Sequence, residues 1–275
     1  MHPRRSPIHG HDAADRPRGS HVIGPGNTGI RGHPPRRTVD LTQPPGRGFH
    51  TRDARLPPLE ASRTHRIGLT VRERELAVAP ATTLAAMTYN GQFMGPVLQA
   101  RLGERMQVHL VNDGSMGHSI DFHASRASPD TTMRTISPGQ SLDVEFTIDH
   151  AGIWLYHCST MPMSAHIAAG MFGALIVAPA DLPTVERQYV LVQSETYLAE
   201  QNNRPVDTGK IADEKVDLTM FNGHANQYLF APLQARVGER VRFWVLAAGP
   251  SRGMSFHIVG AQFDTVFKEG AYLLR

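Results

Sequence analysis

Four side chains that suit a copper ion occur at a restricted spacing. Seven residues separate Cys158 from His166, four more separate His166 from Met171, and His118 lies 40 positions before the cysteine. Taken singly, a lone cysteine is usually a small apolar residue, and a methionine beside glycine usually packs in a core. Two imidazoles, one thiolate and a weak thioether together are the ligands of blue-copper electron-transfer sites. The combination therefore predicts a type 1 copper site.

Strand alternation separates a second group of polar side chains from the first. Consecutive side chains on a strand point to opposite faces, so His157 points out of a sandwich into which Cys158 points. His118 and His123 are five positions apart and face opposite ways on an extended segment, whereas Asp121 and His123 share a face. We expect Asp121, His123 and His157 on the outer surface. There they form either a second metal site or a set of solvated polar residues.

The segments that must position these residues are predicted to be strands. From about His65 the chain shows short alternating or apolar runs punctuated by Gly, Pro, Asn and Asp, a pattern typical of a β-sandwich. A second domain is expected to begin near Arg187, with an opening strand over 188–193. The strands predicted for the first domain cover residues 66–78, 97–110, 141–148, 152–157 and 173–178.

An internal repeat indicates two copies of one fold. The octapeptide LQARLGER at 98–105 returns as LQARVGER at 233–240, a spacing of 135 residues. Two dipeptides return in the same order at spacings of 132 and 134, Asn90-Gly91 as Asn222-Gly223 and Phe122-His123 as Phe256-His257. Coincidence does not explain three ordered matches, so tandem sandwiches are predicted.

The predicted organisation is all-β, with a first domain at 66–180 and a second at 181–275. About 55 residues follow the Phe122-His123 pair before the first copy closes, but only 18 follow His257. Missing strands would leave open sheet edges. The second sandwich is therefore expected to be incomplete at its C-terminus.

The charge distribution argues against a nucleic-acid partner for the folded part. Residues 1–66 carry 12 arginines against 5 acidic residues, whereas the remaining chain holds 16 basic and 20 acidic residues. Residues 1–65 lack periodic apolar positions, and we interpret them as a disordered basic tail. Neither a run of 18 apolar residues nor a signal-type apolar segment occurs, so no membrane span or export signal is predicted. The single cysteine excludes an internal disulfide.

These motifs resemble those of the copper-containing nitrite reductases, enzymes built from two cupredoxin domains, over residues 66–275. The resemblance implies tandem cupredoxin-like Greek-key sandwiches, with the four residues of the predicted blue-copper site as the type 1 ligands. It also implies a type 2 copper between the subunits of a homotrimer, with His123 and His157 as two of its ligands. The third histidine would come from the second domain of a neighbouring subunit, and this sequence offers no match for it.

The resemblance further implies reduction of nitrite to nitric oxide and water, which consumes one electron and two protons. Asp121 and His257 match the catalytic pair of the family, and Val259 matches an apolar residue that crowds the substrate. An electron would pass from Cys158 to His157 through the single peptide link between them, while the carboxylate and imidazole suit proton delivery. The expected partners are nitrite and a small redox-protein electron donor. The expected location is extracytoplasmic.

Two other functions stay open. A two-domain laccase-like multicopper oxidase would share the fold and the type 1 site, but such enzymes carry His-Cys-His and His-x-His motifs. Here Ser159 follows Cys158, and neither His118 nor His123 has a histidine two positions away. A non-catalytic copper electron-transfer protein is the second alternative, favoured by the missing match for the third type 2 ligand.

Overall fold

The computed structural model describes residues 37–268 and 272–273, and the predicted basic tail up to residue 36 lies outside them. Its first half contains eight strands: β1 (Thr64–Ala79), β2 (Thr82–Tyr89), β3 (Leu98–Ala100), β4 (Arg105–Asn112), β5 (Asp121–Phe122), β6 (Ser141–Thr147), β7 (Gly152–His157) and β8 (Phe172–Val177). They form two four-stranded sheets, ordered β2-β1-β4-β6 and β3-β8-β7-β5. The predicted all-β sandwich architecture is confirmed.

The apolar core of this half is built by strand alternation. Along β6, exposed and buried residues alternate strictly, which directs Leu142, Val144 and Phe146 inward. These side chains belong to the same buried cluster as Cys158 and Met171. Two of the predicted type 1 ligands are therefore core residues.

The second half contains a smaller set of strands within the described residues. They are β9 (Arg187–Thr196), β10 (Leu218–Phe221), β11 (Val241–Gly249), β12 (Phe267–Lys268) and β13 (Tyr272–Leu273). β9 lies between β10 and β11 in one sheet, and β12 pairs with β13. Between β8 and β9 the chain passes the predicted domain boundary near residue 180.

Four short helices complete the described structure: α1 (Pro129–Thr132), α2 (Met163–Ala168), α3 (Thr208–Ala212) and α4 (Gln227–Phe230). The α2 helix lies in the loop between β7 and β8, which carries part of the predicted copper motif. In the residues that the structure describes, no helix has the length and apolar character needed to cross a bilayer.

The internal repeat is confirmed by matching backbone geometry. Asn90 and Asn222 both adopt left-handed conformations, with φ of 56° and 54°. Each side-chain oxygen accepts a backbone hydrogen bond, from Thr70 at 2.7 Å and from Val192 at 2.8 Å respectively. The order β2-β1-β4 in the first half recurs as β10-β9-β11 in the second, with one antiparallel and one parallel pair in each.

The repeated octapeptide has a turn at its centre, so the prediction of one strand over 97–110 was wrong. Two strands, β3 and β4, flank the turn. Gly103 adopts φ of 80°, a conformation that glycine reaches without steric cost, and the Arg101 N–H donates to the Glu104 carboxylate at 2.8 Å. This local hydrogen bond ends the strand ladder. Gly238 occupies the same position in the second copy, with φ of 90°.

An apolar cluster shared with the second half covers the face of β7 that points away from the Cys158 core. Ile153 of β7 and Ile176 of β8 belong to one buried cluster with Val190, Val192 and Trp244 of the second half. Side chains two apart on a strand share a face, so β7 directs residues 153, 155 and 157 towards the second half. This face is an internal surface of the molecule.

Residues 37–63 run along the second half, and the prediction of a disordered tail was wrong for this part. The Ala54 carbonyl accepts the Val190 N–H at 2.7 Å, and the Leu56 N–H donates to Gln188 at 3.0 Å. The partly buried Arg52 guanidinium donates to the carbonyl groups of residues 93–95. The segment has no apolar core of its own. It pairs with β9 at Tyr189, before the part of β9 (residues 193–196) that pairs with β10. The composition of the segment does not indicate these distant hydrogen-bond partners.

Candidate metal centres

The predicted type 1 residues converge at one end of the β7–β8 connection. The Cys158 Sγ lies 3.1 Å from the His166 Nδ1 and 3.9 Å from the His118 Nδ1. These three ligand atoms lie within 4.8 Å of one another, and all three residues are buried. A metal ion bonded at about 2.0–2.3 Å to nitrogen and sulfur could bridge both of the sulfur–nitrogen separations, because each is shorter than the sum of the two bonds.

Backbone hydrogen bonds hold these ligands in place. His118 exchanges two hydrogen bonds with Ile136, at 3.1 and 2.8 Å, and His166 lies within α2. The Cys158 N–H donates to the Met171 carbonyl at 3.1 Å, and the Met171 N–H donates to the His166 carbonyl at 3.0 Å. Met171 is fully buried in the core that contains Cys158. The cysteine, second histidine and methionine therefore belong to one closed loop, as their spacing predicts.

Burial keeps the two imidazoles of this cluster neutral. Burial, with a smaller contribution from the neighbouring His118, lowers the pKa of His166 to about 4. Burial also lowers the pKa of His118, although the carboxylate of Glu73 opposes this change. Neutral imidazoles present a free lone pair at neutral pH, as metal binding requires. The donor types and their protonation fit copper.

The second cluster lies on the opposite face of β7. The Nε2 atoms of His123 and His157 are 3.0 Å apart, and the Asp121 Oδ2 lies 3.7 and 4.0 Å from them. Asp121 and His157 are direct partners in the antiparallel β5–β7 pair. The His157 Nδ1 donates to the Cys158 carbonyl at 2.9 Å, so this imidazole has its lone pair on Nε2. The cluster thus offers two imidazole nitrogens and one carboxylate.

Strand alternation predicted the grouping of these side chains but not their exposure. Asp121, His123 and His157 come together as expected, yet His157 is only 5% exposed. The expectation of an outer-surface position was wrong for His157, because its face of β7 packs against the second half. The His123 side chain remains 45% exposed, so the cluster opens to the surface at this residue.

His257 does not join either cluster within this chain. It is exposed, in the irregular stretch between β11 and β12, and Val259 is 90% exposed. The preceding Phe256 packs on Phe243, with ring centroids 5.9 Å apart. The pairing of His257 with Asp121 is not made inside a single chain and stays a prediction.

Known proteins similar to this chain are copper proteins. A family model described as multicopper oxidase matches residues 70–181. The copper-containing nitrite reductases of Neisseria meningitidis and Neisseria gonorrhoeae are 30% and 33% identical to it, over 76% and 68% of this chain. A solved copper nitrite reductase from Nitrosomonas europaea is 33% identical, with a TM-score of 0.68 and 75% of each chain covered. The chain belongs to the copper-containing nitrite reductase family.

Two further observations qualify these similarities. The chain spans about half the length of the curated nitrite reductases it matches, 56% of the Neisseria meningitidis protein and 50% of the Neisseria gonorrhoeae protein. A solved multicopper oxidase is 25% identical, with a TM-score of 0.59 over 69% of this chain and 64% of that one. The fold is therefore shared with oxidases, whereas the higher identities are to nitrite reductases.

Two polar residues beside the Cys158 cluster were not predicted from the sequence. The Ser119 N–H donates to the Cys158 Sγ at 3.4 Å, and its hydroxyl accepts the Ser159 N–H at 3.0 Å. The Glu73 carboxylate lies 3.4 Å from the His118 Nε2. Ser119 could have been found from its position next to His118. Glu73 is 45 residues away, and no local pattern indicates it.

Proposed function

We propose that this protein reduces nitrite to nitric oxide. In this proposal His118, Cys158, His166 and Met171 hold a type 1 copper, and His123 and His157 hold a type 2 copper. Copper, when bound, supplies reversible one-electron chemistry and a position that attracts an anion. The remaining requirements, which are two protons and a path between the sites, fall to residues of this chain.

The observation that carries the proposal is that adjacent residues belong to two different donor clusters. Cys158 lies in the buried thiolate cluster, and His157 lies in the imidazole–carboxylate cluster on the other face of β7. One peptide unit therefore connects the thiolate cluster, whose ligands suit electron transfer, to the imidazole–carboxylate cluster, which opens to the surface. A simple copper carrier has no need of the second cluster.

Asp121 is the group that best suits proton delivery at the second cluster. Its carboxylate lies within 4.0 Å of the Nε2 atoms of both His123 and His157, and its side chain is only 14% exposed. An anion bound beside these imidazoles would lie within reach of this carboxylate. General acid catalysis requires such proximity to the reacting oxygen. His257 would serve as the second proton donor.

The role proposed for His257 requires a neighbouring copy of the chain, and a homotrimer is therefore part of the proposal. This residue is exposed on its own chain, and the second cluster opens to the surface at His123. A neighbouring copy can therefore bring its second half to this opening. A heterologous contact of that kind closes into a ring only with cyclic symmetry. A small redox-protein donor and an extracytoplasmic location belong to the same proposal.

The oxidase alternative rests on the shared fold and has weaker support at the sites. Two candidate metal clusters of three residues each lie in the described part of the chain, and neither contains a His-x-His pair. The carrier alternative requires that the second cluster binds no copper. The number of copper ions bound per chain and the identity of the products distinguish these possibilities.

Nitrite turnover by the copper-loaded protein and two variants tests the proposal. Cys158→Ser should abolish the intense blue absorption, because that band requires the thiolate. Asp121→Asn should keep the blue band but lower nitrite turnover by about 100-fold or more, the usual contribution of a positioned acid. Asp143→Asn is the matched control, since Asp143 also contacts an imidazole, that of His109 at 2.7 Å, outside both clusters.

Three results would contradict the proposal. A blue band in Cys158→Ser would remove the type 1 assignment. Parental turnover in Asp121→Asn would remove the proton donor. A blue parent protein with one copper per chain and no nitric oxide would favour the carrier, whereas oxygen consumption with a near-ultraviolet absorption shoulder would favour the oxidase.

A further inference from the structure

The Glu73 carboxylate is fixed against the segment that leads into His118. Both of its oxygens lie 3.0 Å from the Ser115 backbone N–H. Gly114 passes so close that a Cβ there would be 2.8 Å from the Oε1. The Asn112 side chain secures the same segment, since its amide donates to the carbonyl groups of Met116 and Ile136 at 2.8 and 2.9 Å. The carboxylate therefore has little freedom to move away.

This carboxylate lies behind one ligand of the thiolate cluster. The His118 Nδ1 faces the Cys158 Sγ at 3.9 Å, and the His118 Nε2 faces the Glu73 Oε1 at 3.4 Å. The His118 ring is fully buried, whereas the Glu73 side chain is 30% exposed. The Nδ1 of His118 thus faces the cluster, and the Nε2 faces a negative charge.

The second imidazole of the cluster has a different environment. In the part of the chain that the structure describes, ion-pair contacts of buried histidines with carboxylates involve His65, His118 and His157, and none involves His166. The negative charge behind the site therefore acts through one ligand only. A carboxylate that accepts the N–H of a ligating histidine fixes the ring orientation and raises the basicity of the ligand.

We infer that Glu73 is a positioning residue that fixes His118 as an Nδ1 donor and favours the oxidised over the reduced state of the thiolate site. This inference rests on the proposed copper function of the cluster. The carboxylate holds the hydrogen on Nε2, so that the lone pair of Nδ1 points towards Cys158. Its charge stabilises a doubly charged ion more than a singly charged one, because the Coulomb energy scales with the product of the charges.

Replacement of Glu73 by glutamine, in the full chain, separates charge from shape. We expect Glu73→Gln to weaken copper(II) binding relative to copper(I) by about tenfold, within the range for partners of metal-bound histidines. A tenfold change corresponds to an upward shift of about 59 mV in the reduction potential for one electron. Glu73→Asp, which keeps the charge, should shift the potential by less than half as much.

Glu75→Gln is the matched control. Glu75 lies two positions along the same strand, carries the same charge and contacts the Thr83 hydroxyl at 2.7 Å instead of a cluster residue. Its substitution should leave the potential unchanged. Equal shifts in Glu73→Gln and Glu75→Gln would overturn the inference, because they would reflect net charge alone.

A measurement on the metal-free protein keeps the inference testable apart from copper. Long-range proton–nitrogen NMR should find the His118 hydrogen on Nε2 in the parent protein and a mixture of tautomers in Glu73→Gln. A hydrogen on Nδ1 in the parent would overturn the positioning role even if the protein binds copper. A parent protein with the Nε2 tautomer but no blue band would overturn the copper function and, with it, the effect on the potential.

Discussion

Tyr156 fills the space beside Gly173, so that a methyl group added at Gly173 has no room. Gly173 pairs with Tyr156 across β7 and β8, and a Cβ at Gly173 would overlap the phenol ring, with Cε1 only 2.5 Å away. The ring cannot retreat, because it is fully buried against Phe122 and its hydroxyl donates to the Pro96 carbonyl at 2.6 Å. Gly173→Ala therefore forces either the ring or the strand to move.

The expected cost of Gly173→Ala follows from these contacts. Overpacking a close-packed core costs about 1–3 kcal/mol. Loss of the Tyr156 hydroxyl hydrogen bond adds about 0.5–1.5 kcal/mol. The free energy of unfolding should therefore fall by about 1.5–4.5 kcal/mol. Because His157 and Cys158 follow Tyr156 directly, the blue absorption of the copper-loaded variant should also change.

Urea unfolding followed by circular dichroism measures this cost. Gly68→Ala is the control, since Gly68 also lies in a strand and a Cβ there would meet nothing within 4 Å. Its free energy of unfolding should stay within about 0.5 kcal/mol of the parent value. Equal stability of Gly173→Ala and Gly68→Ala would refute the close packing of Tyr156 against β8.

Three further predictions address the site and the fold. Met171→Leu should leave copper bound but change its reduction potential, because an axial thioether is a weak ligand that alters the potential and contributes little to copper binding. An unchanged potential in a redox titration would exclude Met171 as a ligand. Burial lowers the pKa of His224 from 6.5 to about 4, so the unfolded chain takes up a proton first and stability falls as the pH drops from 6.5 to 4. His224→Leu should flatten the fall in stability over this range in unfolding experiments at stepped pH, and an unaltered slope would contradict this. Asn222→Ala should lower the free energy of unfolding by about 2–4 kcal/mol, because it unpairs the buried Val192 N–H and places alanine at φ of 54°; Asn90→Ala, in the exposed counterpart, should cost less.

The sequence by itself determined the sandwich class, the internal repeat and the grouping of the site residues. Regular alternation and the repeated octapeptide predicted the sandwich and its second copy, because a strand exposes its two faces at a period of two. The loop from Cys158 to Met171 predicted a close cluster, since both ends of a short connection between paired strands must meet. The same parity assigned His157 to a different group from Cys158.

Only the tertiary structure decided what covers each group and which distant residues support it. Alternation states that His157 faces away from the first core, but the second half buries that face. Glu73 reaches His118 because β1 and the segment after β4 lie side by side, a relation set by sheet order and not by local sequence. Residues 37–63 have the composition of a tail, yet a strand edge elsewhere supplies their hydrogen bonds. Local periodicity specifies the direction of a side chain, whereas its partners depend on packing between segments far apart in the chain.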